Sequence, residues 1–370
     1  MSDGFRCWAD LPDGLLDSII ARLGASRDLF AFEATCRSWR AAFSSCPAGF
    51  PPLLLQPDVS LCSSRSPTFR KSLVPTRPCQ VTDIANRDTT RQCFEIPIFW
   101  IPRGKKALPS PLENFCFIGA SYGHVIFFNN KSCVLFDVFT GVTTSSPQLP
   151  VLGVGGPIYG ALTAPLGSAN SYLIIEAGSQ NLFWRVGSQS WVAHSLRHGA
   201  LKQIVVFQGQ VFGMDSDRRL FKVHLTPKIS IQELPVTESI MIAKWHLSDA
   251  LLVACGDMLL LVAMQGNTLL TFEVFQLDLS TEPALWLKVE RLLHWAIFIS
   301  HDKRSQALSC MNPNKWGGRS NCIYFYDRWS KRWIAFELGM PGHIYGYVTG
   351  DCDRRVQPMW FFPSMLSLHR

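Results

Sequence analysis

The chain has 370 residues, of which 47% are hydrophobic and 17% charged, and its formal net charge is +7. This composition excludes a disordered or low-complexity chain and is sufficient for a folded protein with more than one domain. The small excess of basic residues is spread along the chain, so it indicates a solvated surface more than a partner of one charge.

The first predicted element is an amphipathic helix that begins after Pro12. Proline is tolerated in the first turn of a helix, and Asp13 and Asp17 suit its positive end. Gly24 supplies the stop. Apolar side chains recur at helical spacing at Leu15, Leu16, Ile19, Ile20 and Leu23.

A second apolar stripe follows a polar turn at residues 26–28 and also repeats every 3.6 residues. Its members are Leu29, Phe32, Cys36, Trp39 and Phe43. About forty residues rarely bury so much apolar surface alone. The module therefore either packs against the downstream domain or binds another protein.

The order of residues in this module is Trp8, Leu11-Pro12, Leu15-Leu16, Ile19-Ile20, Leu23 and then Cys-Arg-Ser-Trp-Arg at 36–40. It closely resembles the F-box motif in order and spacing. The resemblance implies a domain at 8–48 whose three short helices dock on a Skp-type adaptor, which is linked to a cullin-RING ubiquitin ligase. The residues implied to enter the adaptor groove are Leu11, Pro12, Leu15, Leu16, Ile19 and Ile20. Those implied either to complete the interface or to hold the helices together are Leu29, Phe32, Cys36 and Trp39.

A connector rich in proline and serine is predicted at residues 49–68, and a β-rich domain at 69–366. In that domain an aromatic-led strand, a polar turn and a second strand recur, with starts separated by 47, 38, 54 and 50 residues. This period is typical of propeller blades of roughly 40–50 residues. The alternative is a two-sheet sandwich or two small β domains. The five predicted hairpins begin at Phe136, Phe183, Phe221, Phe275 and Phe325.

Residues 69–101, joined by C-terminal strands near 343–362, could form a sixth blade and close the ring. The sequence thus predicts an α+β multidomain protein, in which a small three-helix domain precedes an all-β propeller of about six blades.

Three segments of the β-rich domain, 117–126, 135–141 and 321–325, carry a second resemblance. In their order behind the helical module they resemble plant F-box proteins with a KIB-type β-propeller. One departure lies at 292–300, LLHWAIFIS, where that family tends to have Leu-Gly-Asp ahead of the strand.

Residues 119–123 match the Gly-x-Ser-x-Gly pattern of a hydrolase nucleophile elbow around Ser121. That elbow needs a strand before it and a helix after it, but a strand-like run, HVIFF, follows here. We therefore predict a tight turn between strands. The acidic run at 215–217 lacks the ligand spacing of a calcium loop and predicts a hairpin turn.

The twelve cysteines are scattered and none forms a Cys-x-x-Cys pair. Several lie in apolar runs, where a free thiol behaves as a small hydrophobic group. With no signal layout and no membrane-spanning stretch, we expect a protein of the nucleus or cytoplasm. No metal site or cofactor is predicted.

Basic residues near the C-terminus are interleaved with Trp316, Trp329 and Trp333, a pattern that can bind single-stranded nucleic acid. Since no nucleic-acid-binding module accompanies the charge, packing of these tryptophans in the blades is favoured instead.

The resemblances together imply a non-catalytic substrate receptor of a cullin-RING ubiquitin ligase, with a Skp-type adaptor and an unknown protein substrate as partners. No membrane or nucleic-acid partner is expected. A non-ligase F-box scaffold or transcription regulator is the alternative, and a hydrolase built on Ser121 is a third.

Overall fold

The structure is a computed structural model. The residues that it describes are 8–20, 22–23, 28, 31–32, 35–39, 42, 52–57, 76–82, 92–97, 116–129, 131–138, 140–150, 159–196, 199–237, 250–265, 271–300, 302–327, 332–340, 344–347 and 359–362.

The N-terminal module contains a 3-10 turn, Trp8–Asp10, and the helix α1, Asp13–Ile20. Pro12 precedes α1, and its carbonyl accepts the first helical hydrogen bonds. α1 is the one complete α-helix that the described residues contain in this region, so the predicted three-helix arrangement stays a prediction. The predicted positions Leu29 and Phe43 lie outside the described residues.

The chain then forms three strands, β1 to β3, which pair side by side and antiparallel. Their bounds are Leu53–Pro57, Thr76–Thr82 and Gln92–Pro97. β1 lies within the segment that the sequence analysis assigned to a connector. It becomes a strand because its leucines are buried between two neighbouring sheets.

Five sheets follow as the blades of a β-propeller. Blade 1 contains β4 to β7: Cys116–Ser121, His124–Phe128, Cys133–Asp137 and Thr143–Ser145. Blade 2 contains β8 to β11: Tyr159–Leu162, Tyr172–Ala177, Gln180–Arg185 and Val192–Ser195. Blade 3 contains β12 to β15: Gln203–Phe207, Gln210–Met214, Leu220–His224 and Ser230–Leu234.

Blades 4 and 5 have five strands each. Blade 4 contains β16 to β20: Val236–Thr237, Ala250–Cys255, Met258–Gln265, Thr271–Asp278 and Ala284–Val289. Blade 5 contains β21 to β25: Trp295–Phe298, Leu308–Met311, Cys322–Asp327, Arg332–Glu337 and Ile344–Tyr347. A 3-10 helix, Pro313–Trp316, follows β22. In blade 5 the order is β22-β21-β23-β24-β25, and β21 runs parallel to β23.

The last strand, β26 (Met359–Phe361), pairs antiparallel with β1, so that Leu54 lies opposite Trp360. This closing sheet, in the order β26-β1-β2-β3, joins the two ends of the β-rich domain. The predicted combination of residues 69–101 with a C-terminal strand is present. β25, which lies in the same predicted range, pairs with β24 in blade 5 instead.

All five predicted hairpins are confirmed. Counted from the innermost strand outward, each hairpin occupies the third and fourth positions of its blade. Six apolar clusters lie between successive sheets, from the closing sheet through blades 1 to 5 and back to the closing sheet. Because every sheet packs on two neighbours, the sheets form a ring, and the sandwich alternative is wrong.

Candidate functional site

The innermost strands of the ring enclose a cavity of about 490 Å³. Its walls come from β4, β12, β17, β22 and β26, which belong to five different sheets. A cavity of this size at the axis of a propeller lies within the usual range of ligand sites.

The lining residues of the cavity differ in exposure. Val205 and Phe361 are buried. The exposed Gln208 and Gly256 and the half-buried Trp295 lie at the mouth. A Cβ atom on Gly256 would lie 2.4 Å from the Trp295 ring, so only glycine lets this indole lie on the β17–β18 turn.

The lining residues that the structure describes are all uncharged, although the chain holds 35 Lys and Arg and 28 Asp and Glu. Two side-chain amides, those of Gln208 and Gln306, form no hydrogen bond within the part of the chain that the structure describes. The hydroxyls of Ser121 and Ser309 are engaged: Ser121 accepts from the Leu162 amide and Ser309 donates to a backbone carbonyl.

The Gly-x-Ser-x-Gly segment is the β4–β5 turn at the rim of this cavity. Tyr122 and Gly123 have φ of 49° and 75°, as a two-residue hairpin turn requires. The Ser121 Oγ atom lies 2.8 Å from the Leu162 nitrogen. Because a strand follows the turn, the strand–turn–helix context of a hydrolase elbow is not met.

A segment of blade 5 reaches across to β4 beside the cavity. The amide of Ala120 donates to the Arg304 carbonyl, and the amide of Gln306 donates to the Ala120 carbonyl. Arg304 forms an ion pair with Asp302 at 2.6 Å and donates to the carbonyl of Phe117 at 2.6 Å. This arginine, which belongs to the basic region near the C-terminus, therefore links blade 5 to blade 1.

The tryptophans of that basic region pack as predicted where the structure describes them. Trp333 is buried between blade 5 and the closing sheet, with its ring centroid 4.4 Å from that of Trp360. Trp316 packs against the same cluster, and Trp329 lies outside the described residues. These contacts give Trp316 and Trp333 a structural role.

Buried polar groups continue from Ser121 across blade 1. His124 lies opposite Ser121, and Asp137 lies opposite His124. The His124 Nδ1 atom is 2.8 Å from the carbonyl oxygen of Tyr122, so Nδ1 carries the proton of the neutral ring. Burial lowers the pKa of His124 below its ordinary value of 6.5, against the raising effects of the Tyr122 carbonyl and Asp137.

His124 should make stability depend on pH. As the pH falls below about 6.5, the unfolded chain takes up a proton before the folded chain does, so stability is lost from there down to the folded pKa. We expect the melting temperature to fall less between pH 7 and pH 5.5 in His124→Asn than in the wild type. Thermal unfolding by circular dichroism at both pH values measures this, and equal falls would contradict it.

The ten predicted adaptor-binding residues occupy different environments. Leu16, Ile20 and Phe32 are buried together with Ala42 in a cluster of the N-terminal module. Those packed around this cluster are Leu11, Ile19 and Trp39. Pro12 and Leu15 are exposed, Cys36 is half-buried, and Leu29 lies outside the described residues. Leu16, Ile20 and Phe32 thus stabilise the module, and contact of any of the ten with an adaptor stays a prediction.

The two ends of this module contact each other. The Trp39 indole donates to the carbonyl of Trp8 at 2.9 Å, and Ser38 donates to the carbonyl of Ala9 at 2.6 Å. The Phe32 and Trp39 ring centroids are 4.5 Å apart. These contacts join residues about thirty positions apart, so the module has a core of its own.

Sequence reasoning missed the cavity residues Gln208, Trp295 and Gln306. For Gln208 the signal was weak, namely a glycine after a strand in Gln208-Gly209, and nothing local in the sequence marked Gln306. The predicted free thiols are present at Cys116, Cys133, Cys255 and Cys322, and burial raises the pKa of Cys133 to about 12. Among the described residues, no three His, Cys, Asp or Glu side chains group as metal ligands. No described helix is long and apolar enough to cross a membrane.

Comparison with known proteins concerns the β-rich domain. The family model described as KIB1-4 beta-propeller matches residues 99–348. Among curated proteins, none matches this chain.

Solved structures match at low identity. One is a chain of the S. cerevisiae complex of Dbp5 with Nup159, Gle1, IP6 and ADP, at 11% identity and a TM-score of 0.34, over 67% of this chain and 69% of that chain. The N-terminal domain of Nup159 matches at 12% identity and a TM-score of 0.33, over 66% and 63%. The extracellular domain of a one-component system from B. thetaiotaomicron matches at 8% identity and a TM-score of 0.33, over 70% and 36%. This chain spans less than two thirds of the last two, and similarity this low carries no argument about function.

Proposed function

The chain belongs to the KIB1-4 β-propeller family, and from that premise we propose that it is the substrate-recognition subunit of a Skp–cullin–F-box ubiquitin ligase. The N-terminal module would dock on the Skp-type adaptor as an F-box, and the propeller would capture a protein substrate. A β-propeller of this family is consistent with a protein-interaction module.

The observation that carries the proposal is the exposed apolar side of the N-terminal module. Leu15 is 53% exposed and Trp8 is 73% exposed, while the neighbouring Leu16 is buried in the module's own cluster. Fully burying a leucine stabilises a complex by about 1.5–3 kcal/mol. An adaptor that covered Leu15, Trp8 and Pro12 would therefore gain free energy without opening the cluster.

In this proposal the chain makes and breaks no bond itself. It would raise the effective concentration of a substrate lysine near the charged conjugating enzyme, as any linked pair of binding sites does. Two surfaces then matter, one for the adaptor and one for the substrate, and they can be tested separately.

The adaptor surface is tested by Leu15→Asp. Because an exposed side chain is changed and the cluster is left intact, the variant should stay folded but bind the purified Skp-type adaptor about tenfold more weakly or worse. Val142→Asp is the matched control, since Val142 is 62% exposed and lies on the propeller. Binding is measured by calorimetry, with circular dichroism to verify folding.

Equal adaptor binding by wild type, Leu15→Asp and Val142→Asp would refute the docking face. Adaptor binding without co-purification of cullin would instead favour the scaffold or transcription-regulator alternative, which shares the helical module but not the ligase.

A further inference from the structure

We propose that the axial cavity is a binding site for a neutral, largely aromatic small molecule. The site is separate from the adaptor surface, and the proposal does not depend on the ligase function. It rests on the charge, the aromatic content and the unused hydrogen-bonding groups of the cavity lining.

Among the described residues of the lining none is charged, and this selects against ionic ligands. A charged group buried without a counter-charge or hydrogen bonds loses its hydration at a large cost in free energy. Arg304, a charged residue of the segment beside the cavity, is already paired with Asp302. A neutral ligand avoids this cost.

The aromatic lining suits a flat apolar ligand. Trp295 stands at the mouth, and Trp360, Phe361 and Phe362 come from the C-terminal strand and the residue after it. Aromatic pairs attract one another beyond the effect of area alone, in stacked or edge-to-face arrangements. Since the walls are paired β-strands of five sheets, the cavity is formed before the ligand arrives, and little ordering cost remains.

Two carboxamides supply the polar part of recognition. The side chains of Gln208 and Gln306 each offer a donor and an acceptor, and neither is used within the described structure, whereas Ser121 and Ser309 are engaged. A ligand with one hydroxyl or amide group on an aromatic frame would match this pair. In small-molecule sites, a small number of polar groups in an otherwise apolar pocket usually sets the orientation of the ligand.

A charge series of three naphthalene probes, one neutral, one anionic and one cationic, tests the proposal directly. We expect 2-naphthol, which is neutral at pH 7, to bind the full-length protein with Kd of about 0.1–1 mM, as its size allows. The anion 2-naphthoate and the cation 2-naphthylmethylammonium should bind at least about tenfold more weakly. Isothermal titration calorimetry measures all three. Equal binding of the three probes, or no binding of 2-naphthol, would overturn the proposal.

Variants locate the bound probe. Gln306→Leu should weaken 2-naphthol binding by about three- to tenfold through loss of a hydrogen bond. Ala254→Phe, at a half-buried lining position of β17, should abolish binding by filling space. Ala193→Phe is the control, since Ala193 is exposed on the outer strand β11 of blade 2.

Unchanged 2-naphthol binding by folded Gln306→Leu and Ala254→Phe would place the probe elsewhere and refute the site. If Ala254→Phe fails to fold, Gln306→Leu and the charge series still decide. Leu15→Asp should bind 2-naphthol as the wild type does, which separates failure of this proposal from failure of the ligase proposal.

Discussion

Replacing Gly119 with alanine should destabilise the protein by more than about 4 kcal/mol or prevent folding altogether, an effect at the far end of the range for single substitutions. A Cβ atom built on Gly119 lies 1.8 Å from the carbonyl oxygen of Gly160 and 2.9 Å from its carbonyl carbon. The obstructing atoms are backbone of β8, so no side-chain rotation relieves the clash.

The close approach at Gly119 joins the innermost strands of blades 1 and 2. Gly160 is also closely packed. A Cβ atom built on it would lie 3.0 Å from the Cδ1 atom of Ile118, which is buried between these blades. Moving β8 away would open that apolar cluster and shift the Leu162 amide from Ser121. The ring therefore has no inexpensive way to accommodate the methyl group.

Gly14→Ala is the matched control, because Gly14 lies in α1 with no atom within 4 Å of its Cβ position. It should be neutral or stabilise the helix by about 0.5–1 kcal/mol. Urea unfolding followed by circular dichroism measures both variants. A Gly119→Ala protein within about 1 kcal/mol of the wild type would mean that β4 and β8 are further apart than the structure places them.

Gly119 illustrates what the sequence could and could not predict. The Gly-x-Ser-x-Gly pattern was compatible with a hydrolase elbow or a turn, and the strand-like run after it correctly favoured the turn. The contact with Gly160, about forty residues away, was not visible, because it depends on how two blades pack. The local pattern predicted the hairpin, whereas the need for glycine at position 119 comes from the packing of two blades.

The same division holds for the rest of the fold. The five hairpins were predicted because each is local, with an aromatic-led strand and a polar turn within about fifteen residues. β1 was missed because Leu53, Leu54 and Leu55 resemble any apolar run until β26 pairs with them from the other end of the chain. Cavity residues such as Gln208 and Gln306 were missed for a similar reason, since they are distant in sequence and line one cavity only once the ring has formed.

Leu293 shows a further limit. It lies in the segment 292–300, where the sequence departs from the resembled family, and its φ is 52°, in the left-handed region that glycine favours. The strand after it, β21, forms nevertheless. The sequence showed the departure at 292–300 but not that an exposed leucine there would adopt a backbone conformation that glycine favours.

Lys202→Met should destabilise the protein by about 3–5 kcal/mol, because it removes the charge partner of a buried carboxylate. Glu176 is 1% exposed on β9, and its Oε1 atom contacts the ammonium group of Lys202, which is 40% exposed. The Oε2 atom has no hydrogen-bond partner within the described structure. Without Lys202, the charge of Glu176 would lose its principal compensation between blades 2 and 3.

Lys288→Met provides the comparison that isolates carboxylate burial. Lys288 is 38% exposed, almost as much as Lys202, but its partner Glu273 is 15% exposed and their atoms are 2.9 Å apart. Glu273 also has a buried Oε2 atom with no hydrogen-bond partner in the described structure, but its side chain is more exposed than that of Glu176, so Lys288→Met should cost less than Lys202→Met. Urea unfolding of the two single variants measures the difference, and equal losses would show that burial of Glu176 is not the cause.

The double variant Lys202→Met/Glu176→Leu tests the mechanism further. Since the cost of Lys202→Met comes from an uncompensated buried charge, removing that charge should recover most of the lost stability, even though no ion pair is restored. If instead the double variant were less stable than Lys202→Met alone, Glu176 would be stabilising the blade contact through interactions other than its pair with Lys202. The sign of this coupling therefore separates a charge that needs a partner from a carboxylate that supports the packing of blades 2 and 3 by itself.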